Sequence, residues 1–187
     1  MAKNRRVRTS AELRALASPE RQEIVQSLLG RPPQSVREIA AAVGRLPVSL
    51  YYHLRALEQA GLIERAGTRA AEKGEEALYR VPAGRLAIRP DRRGPAEIDA
   101  LRKIGAGVFR RAQRLHDALV AEEPARERLR REHVLAQRTV KLDAAGLKRV
   151  NGLLSALADE LGEAQPAEGD GAFYTVTLHL ARDDRRG

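Results

Sequence analysis

Periodic apolar positions and helix-boundary residues predict four helices within residues 10–61. The second helix opens on Ser18 and Pro19, an N-cap followed by a first-turn proline. The third opens on Ser35 and Glu38, whose spacing is that of a capping box. A glycine follows each of the second, third and fourth helices, as is common at helix ends.

The fourth helix has an apolar stripe and a distinctive opposite face within the segment PVSLYYHLRALEQ. At 100° per residue, Leu50, Leu54 and Leu57 fall within roughly 60° of one another. Tyr52 lies almost opposite that stripe, and Tyr51 lies on its flank. Because the leucines already provide the buried face, we expect Tyr52 to point out of the fold.

A β-hairpin is predicted after the fourth helix, because 62–65 and 76–81 have the pattern of short strands and a polar loop at 67–75 separates them. Helix, helix, short helix, turn, helix and hairpin is the order of a winged helix-turn-helix. We therefore predict such a domain over 10–85, followed by a Pro/Gly-broken connector at 86–94.

A long helix is predicted over 95–123, because apolar residues recur there at spacings of three, four or seven. Such a narrow seam needs a partner helix. The same helix of a second subunit would provide it, and packing against the chain's own domain is the alternative. The predicted seam consists of Ile98, Leu101, Val108, Ala112, Leu115 and Leu119.

A β-α-β element is predicted over 124–182. Alternating residues indicate strands near 134–142 and 174–180, and helical periodicity begins after Asp143. Two strands and one helix bury too little by themselves, so we expect them to complete a sheet elsewhere, such as across a dimer. Their polar faces either line a pocket for an unknown small-molecule effector or face solvent. The fold class is therefore mainly α with small β.

Charge is concentrated in the N-terminal half. The net charge is +9, of which residues 1–90 carry +7 and residues 91–187 carry +2. A basic half beside a nearly neutral one indicates a polyanion-binding module joined to something else. We expect the basic segment 1–9 to be a loose solubilising arm, with insertion into a nucleic-acid groove as the alternative.

Several functions find no support in the residues. The chain has no cysteine, which excludes thiolate nucleophiles and thiolate metal sites. It has no P-loop, GxSxG or HExxH motif, and its four histidines are dispersed. No run approaches the ~18 to 20 apolar residues of a membrane span. We therefore expect no enzyme, catalytic residue, metal, cofactor or membrane partner, and a cytoplasmic location.

The chain resembles the ArsR-type winged-helix transcriptional regulators of prokaryotes over about residues 10–85, in the segments ALASPERQEIVQSLL, SVREIAAAVG, VSLYYHLRALEQAGLIER and ALYRV. The resemblance implies a homodimer whose recognition helices enter successive major grooves of a palindromic operator in duplex DNA, with the wings on the flanking backbone. It also implies modulation by a signal. Metal-sensing members often use cysteine, so we expect a signal that does not act through thiolates.

The predicted DNA contacts lie on the fourth helix and around it. Ser49, Tyr52 and Arg55 are expected to reach base edges or phosphates. Val48 and Tyr51 are expected to contact a thymine methyl or the sugar-phosphate backbone.

Further contacts are expected outside that helix: a phosphate at Arg37, and the backbone or minor groove at Arg69 and Lys73 in the wing. The alternatives are a solvated Arg55 and a tyrosine pair that packs on a protein. The sequence thus predicts a sequence-specific DNA-binding regulator, or alternatively a winged-helix module for RNA binding or protein assembly.

Overall fold

The computed structural model describes residues 4–72, 74–82, 85–88, 91, 94–121, 134–163 and 174–182. These residues are mainly helical with a smaller share of strand. Close contacts divide the chain into two units, Met1–Gly107 and Val108–Gly187, which are described separately below.

Four helices form the body of the first unit: α1 (Ser10–Leu16), α2 (Pro19–Leu28), α3 (Val36–Val43) and α4 (Pro47–Gln59). The caps predicted at Ser18 and Ser35 are confirmed. Helix α1 begins at Ser10, and Thr9 is its N-cap. The Thr9 side chain accepts from the backbone N–H of Glu12, whose carboxylate accepts from the N–H of Thr9.

The core of this unit is aliphatic. The leucine stripe predicted on α4 is confirmed, since Leu50, Leu54 and Leu57 are at most 2% exposed. The other large side chains under 2% exposure in the helices and at the start of the hairpin are Leu13, Ile24, Leu28, Ile39, Leu62 and Ile63. Burial of this apolar area is the main stabilising contribution to the domain.

The hairpin consists of β3 (Glu64–Ala71) and β4 (Gly74–Arg80), with β2 (Gln34–Ser35) on the other side of β4. Both strand pairings in this three-stranded sheet are antiparallel. The predicted loop at 67–75 was wrong, because most of it belongs to the paired strands. Both faces of this projecting part are largely exposed, so the alternation that marks a half-buried strand is absent.

A second, two-stranded sheet pairs β1 (Asn4–Val7) in parallel with β5 (Arg85–Ile88). The prediction of a loose basic arm over 1–9 was therefore wrong for residues 4–7, and part of the predicted connector is a strand. Val7 is fully buried, and Arg5 Nη2 lies 2.8 Å from Glu12 Oε1. A buried valine and an ion pair hold this segment to the domain.

The long helix predicted after the connector is confirmed as α5 (Pro95–Ala121). Its first half packs on the chain's own domain through Ala100 and Ile104, which are 3% and 4% exposed. Gly107 permits close approach, since a Cβ there would lie 1.8 Å from Gln22 Oε1. This buried face is roughly 90° around the helix from the predicted seam. The first half of α5 therefore packs against the chain's own domain, as in the alternative given above, but through a face other than the predicted seam.

In the second unit the predicted helix is confirmed as α6 (Ala144–Glu163). Residues 134–142 and 174–180, predicted as strands, form no strand pairing within the described part of this single chain. Their pairing across a dimer stays a prediction. A strand is defined by backbone hydrogen bonds to a neighbour, and alternation in the sequence does not provide that neighbour. The apolar residues of both segments are exposed, among them Val134 (92%) and Tyr174 (61%).

Candidate nucleic-acid interface

The solvent-facing side of α4 exposes large side chains. Tyr52 and Val48 are each 74% exposed and Tyr51 is 58% exposed, whereas the leucines one turn away are buried. Ser49 and Arg55 are exposed on the same helix. The orientation expected for Tyr52 from the helical period is thus observed, and five predicted contact residues are brought together on one helix.

Leu46, immediately before α4, extends this surface and was not among the predicted contacts. It is 72% exposed and makes no side-chain cap to the helix. Its carbonyl oxygen accepts from the Ser49 hydroxyl at 2.7 Å and from the Ser49 backbone N–H at 3.0 Å. The signal in the sequence was an apolar residue at a position where a polar N-cap is usual.

Behind the exposed face, His53 lines a cavity together with Glu20, Glu23, Arg45 and other residues of α2–α4. The His53 Nδ1 atom is buried without a hydrogen-bond partner among the residues that the structure describes. Its ring meets the Tyr52 ring edge-on, with centroids 5.5 Å apart. The pKa of Glu20 is lowered mainly by hydrogen bonds from the Glu20 backbone N–H and from the Ser18 side chain. The charges of His53 and Arg45 lower the pKa of Glu20 further by smaller amounts. His53 is therefore half-buried, between the exposed face of α4 and this cavity.

The helix α3, which precedes the turn to α4, presents Arg37 in its first turn. Arg37 is exposed and forms no ion pair within the described part of the chain. Its neighbour Glu38 completes the capping box by accepting from the Ser35 backbone N–H at 2.7 Å. That bond is the largest cause of the lowered pKa of Glu38. The cap fixes the start of α3, and hence the backbone that carries Arg37.

Arg69 on β3 lies between two carboxylates. Its Nη2 atom is 2.6 Å from Glu76 Oε1 on the paired strand and 3.0 Å from Glu38 Oε1 on α3. These partners raise the pKa of Arg69, the bond to Glu76 most. Arg69 thus links the hairpin to α3, and a phosphate at this place would have to share or replace a carboxylate. Lys73, the other predicted hairpin contact, lies outside the described residues.

The predicted seam residues of α5 differ in exposure. Ile98 is 57% exposed and Leu115 is 42% exposed. Leu101 is partly buried against the domain core. Val108, Ala112 and Leu119 are half-buried.

The described residues contain no group of three or more His, Asp or Glu side chains that would hold a metal ion. Within the same ranges, no helix has the length and apolar character needed to cross a membrane.

One segment of the first unit is similar to a known family of domains. Residues 16–66 match the family model of a helix-turn-helix domain. This stretch runs from the end of α1 through α4 to the start of the hairpin, so it contains the exposed face of α4. The predicted resemblance to helix-turn-helix regulators is confirmed over this segment, which supports DNA as a partner.

No curated protein matches the chain. A solved structure, the crystal structure of RV1404 from Mycobacterium tuberculosis, is similar to it with 14% sequence identity, over 80% of this chain and 83% of that one. Its TM-score is 0.30.

Proposed function

We propose that this protein is an ArsR-like winged-helix transcriptional regulator that binds a palindromic operator in duplex DNA as a homodimer. The observation that carries the proposal is the division of α4, with buried leucines on one side and exposed Val48, Tyr51 and Tyr52 on the other. In this class of domain the second helix of the motif lies in the major groove with its N-terminal residues on base edges. Helix α4 takes that role here.

The charge around α4 supports duplex DNA as the partner. Arg37 and Arg55 are exposed near the start of α3 and on α4. Both are suited to phosphate contacts, which position a protein on the duplex without reading sequence. The hairpin β3–β4 is the wing in this proposal, and Arg69 and Lys73 are its backbone contacts. Arg69 would exchange a carboxylate for a phosphate when DNA binds.

The dimer is proposed from the apolar side chains that the described chain leaves exposed. Ile98 and Leu115 lie on the predicted seam of α5. Segments 134–143 and 174–182 alternate apolar and polar residues without a strand partner among the described residues. A second subunit would pack on the seam and supply the neighbours that a β-α-β element needs. This unit is also where we place the response to a signal that does not act through thiolates, such as a small molecule.

One experiment tests the central proposal. Selection of bound DNA from a random duplex pool should enrich a palindrome, and its affinity should fall with salt at about −0.9 in log K per log salt for each contacted phosphate. Arg37→Ala should reduce the size of that slope by about 0.9, the contribution of one contacted phosphate. A selected pool without a shared sequence, or an affinity that does not respond to salt, would contradict the proposal.

The second candidate is a winged-helix module for RNA binding or protein assembly. It is favoured by the tyrosine pair, because exposed aromatic rings also stack on unpaired bases or anchor protein interfaces. Competition separates the candidates: a structured or single-stranded RNA that displaces the selected duplex at equal concentration would favour RNA. We propose no catalytic activity, and a cytoplasmic location follows from action on prokaryotic DNA.

A further inference from the structure

The first turns of α4 and the residue before them have an unusual set of exposed side chains. Leu46, Val48, Tyr51 and Tyr52 are 72%, 74%, 58% and 74% exposed. Residues 46–55 contain no Asn, Gln, Asp or Glu. Soluble domains seldom leave several large apolar side chains together in solvent unless they form an interaction site.

The chemistry of these side chains limits which base edges they can read. In the major groove, adenine is read by Asn or Gln, cytosine by Asp or Glu, and guanine by Arg or Lys. This surface offers only Arg55 from that set. The one groove feature that apolar side chains recognise directly is the C5-methyl group of thymine. The Ser49 hydroxyl already donates to the Leu46 carbonyl, so its proton is used within the protein.

Position on the helix supports the same reading. Leu46 and Val48 lie at the N-terminal end of α4, the end that approaches base edges in helix-turn-helix domains. Tyr52 follows Val48 by four positions, so the two side chains share a face. Arg45 immediately precedes this apolar patch and Arg55 follows it on α4, and both arginines are exposed. Cations around an apolar centre fit the groove of a duplex, where phosphates flank the methyl groups.

From these observations we propose that Leu46, Val48 and Tyr52 read thymine methyl groups, so that each operator half-site has thymines beneath the start of α4. The inference rests on the proposed function, since it assigns the chemistry read by the same helix. Leu46 becomes a specificity-determining residue, and Arg55 is left to read a guanine or hold a phosphate. An operator of this kind is recognised mainly by methyl contacts rather than by paired hydrogen bonds.

The test uses the full-length protein and the duplex selected from the random pool. Each thymine of one half-site is replaced in turn by deoxyuridine, which removes only the methyl group. We expect two or three adjacent positions to lose about fourfold in affinity each, the factor equivalent to the burial of one methyl group. The remaining thymines should tolerate the replacement.

Protein variants assign the methyl groups. For Val48→Ala and for Leu46→Ala, we expect the replacement of thymine by deoxyuridine to leave the affinity unchanged at one of the sensitive positions. At the other sensitive positions the replacement should still weaken binding by each variant. Leu153→Ala is the matched control, because Leu153 is 71% exposed on α6 and far from α4 in the sequence. This control should retain every sensitivity. Coupling of this kind separates a methyl contact from an effect of deoxyuridine on DNA shape.

The outcomes distinguish this inference from the proposed function. If no specific duplex is selected, the proposed function fails and the inference with it. If a specific duplex is selected but every deoxyuridine replacement changes the affinity less than twofold, the protein reads DNA by other contacts and only the inference is overturned. Equal sensitivity of the wild type, Leu46→Ala and Val48→Ala would also overturn it.

Discussion

The two units of this chain differ in how far their apolar side chains are buried. In Met1–Gly107, the leucines and isoleucines on the inward faces of the helices, such as Leu13, Ile24, Ile39 and Leu54, are at most 1% exposed. In Val108–Gly187, α6 and its flanking segments have equally regular apolar spacing, yet Leu147 is 45% exposed and Val134 is 92% exposed. Amphipathic spacing defines which face of an element is apolar, but burial requires a second surface. The first unit contains that surface and the described part of the second does not.

The largest expected effect concerns the core of the first unit. Leu54→Ala should lower the free energy of unfolding by roughly 2 to 5 kcal/mol, because it leaves a cavity among well-packed leucines. Leu153→Ala, the same substitution in the second unit, should change it by less than about 0.5 kcal/mol in the monomer. Urea denaturation of both variants measures the difference. Equal losses would mean that Leu153 is buried in the protein in solution.

The next effect tests whether a second subunit covers the exposed residues of α5. Ile98→Glu with Leu115→Glu should weaken association by on the order of 3 kcal/mol, since charged side chains would be buried against apolar ones. Sedimentation should then report monomers. Arg110→Glu, which lies on roughly the opposite side of the helix from the seam, is the control and should leave the dimer intact. A double variant that still dimerises would place the interface in 134–182.

A smaller effect is expected for the apolar residues that the first unit itself leaves exposed. Tyr52→Ala should weaken binding to the selected duplex by about 1 to 3 kcal/mol, the range for a base-reading contact. Unfolding should change by less than about 0.5 kcal/mol. Fluorescence anisotropy and urea denaturation check the two numbers. Loss of stability with unchanged affinity would show that the ring packs within the domain.

The smallest effect concerns the charge that ties β1 to α1. Burial raises the pKa of Glu12, but hydrogen bonds from the Thr9 and Arg8 backbone N–H groups, the Thr9 hydroxyl and Arg5 outweigh it, and the pKa is lowered overall. A carboxyl group with a lowered folded-state pKa stabilises the fold above its ordinary value of 4.5, and that stability is lost as pH falls through the folded-state pKa.

Glu12→Gln should therefore cost about 1 kcal/mol at pH 7 and flatten the fall of stability below about pH 4.5. Glu160→Gln on the exposed surface of α6 is the charge-matched control. Urea denaturation at a series of pH values measures both. An acid transition that is equally steep in Glu12→Gln and the wild type would locate the acid sensitivity elsewhere.

Local features of the fold were predictable from the sequence. The capping box at Ser35 and Glu38 and the leucine stripe of α4 depend on residues within one or two turns, so spacing alone determines them. The exposed position of Tyr52 followed from the same helical period.

Features that depend on distant partners were not predictable. The sequence around Val7 contains no signal that its strand pairs with the strand of Ile88. The sequence predicts Arg69 to be an unpaired cation of the wing, whereas in the structure it forms ion pairs with Glu38 and Glu76. For the candidate site, spacing identified the exposed face of α4, while the pairing of Arg69 and the exposure of Leu46 required the structure.

The parallel pairing of β1 with β5 also constrains when the domain matures during synthesis. Val7 is made 81 positions before its partner Ile88. Contacts between residues so far apart in the chain require closure of a long loop and form slowly. While a ribosome is still making the first unit, α1 to α4 are free to assemble, but β1 has no partner strand. The domain therefore reaches its native form only after residue 88 has emerged, and a nascent chain stalled before that point would leave Val7 uncovered.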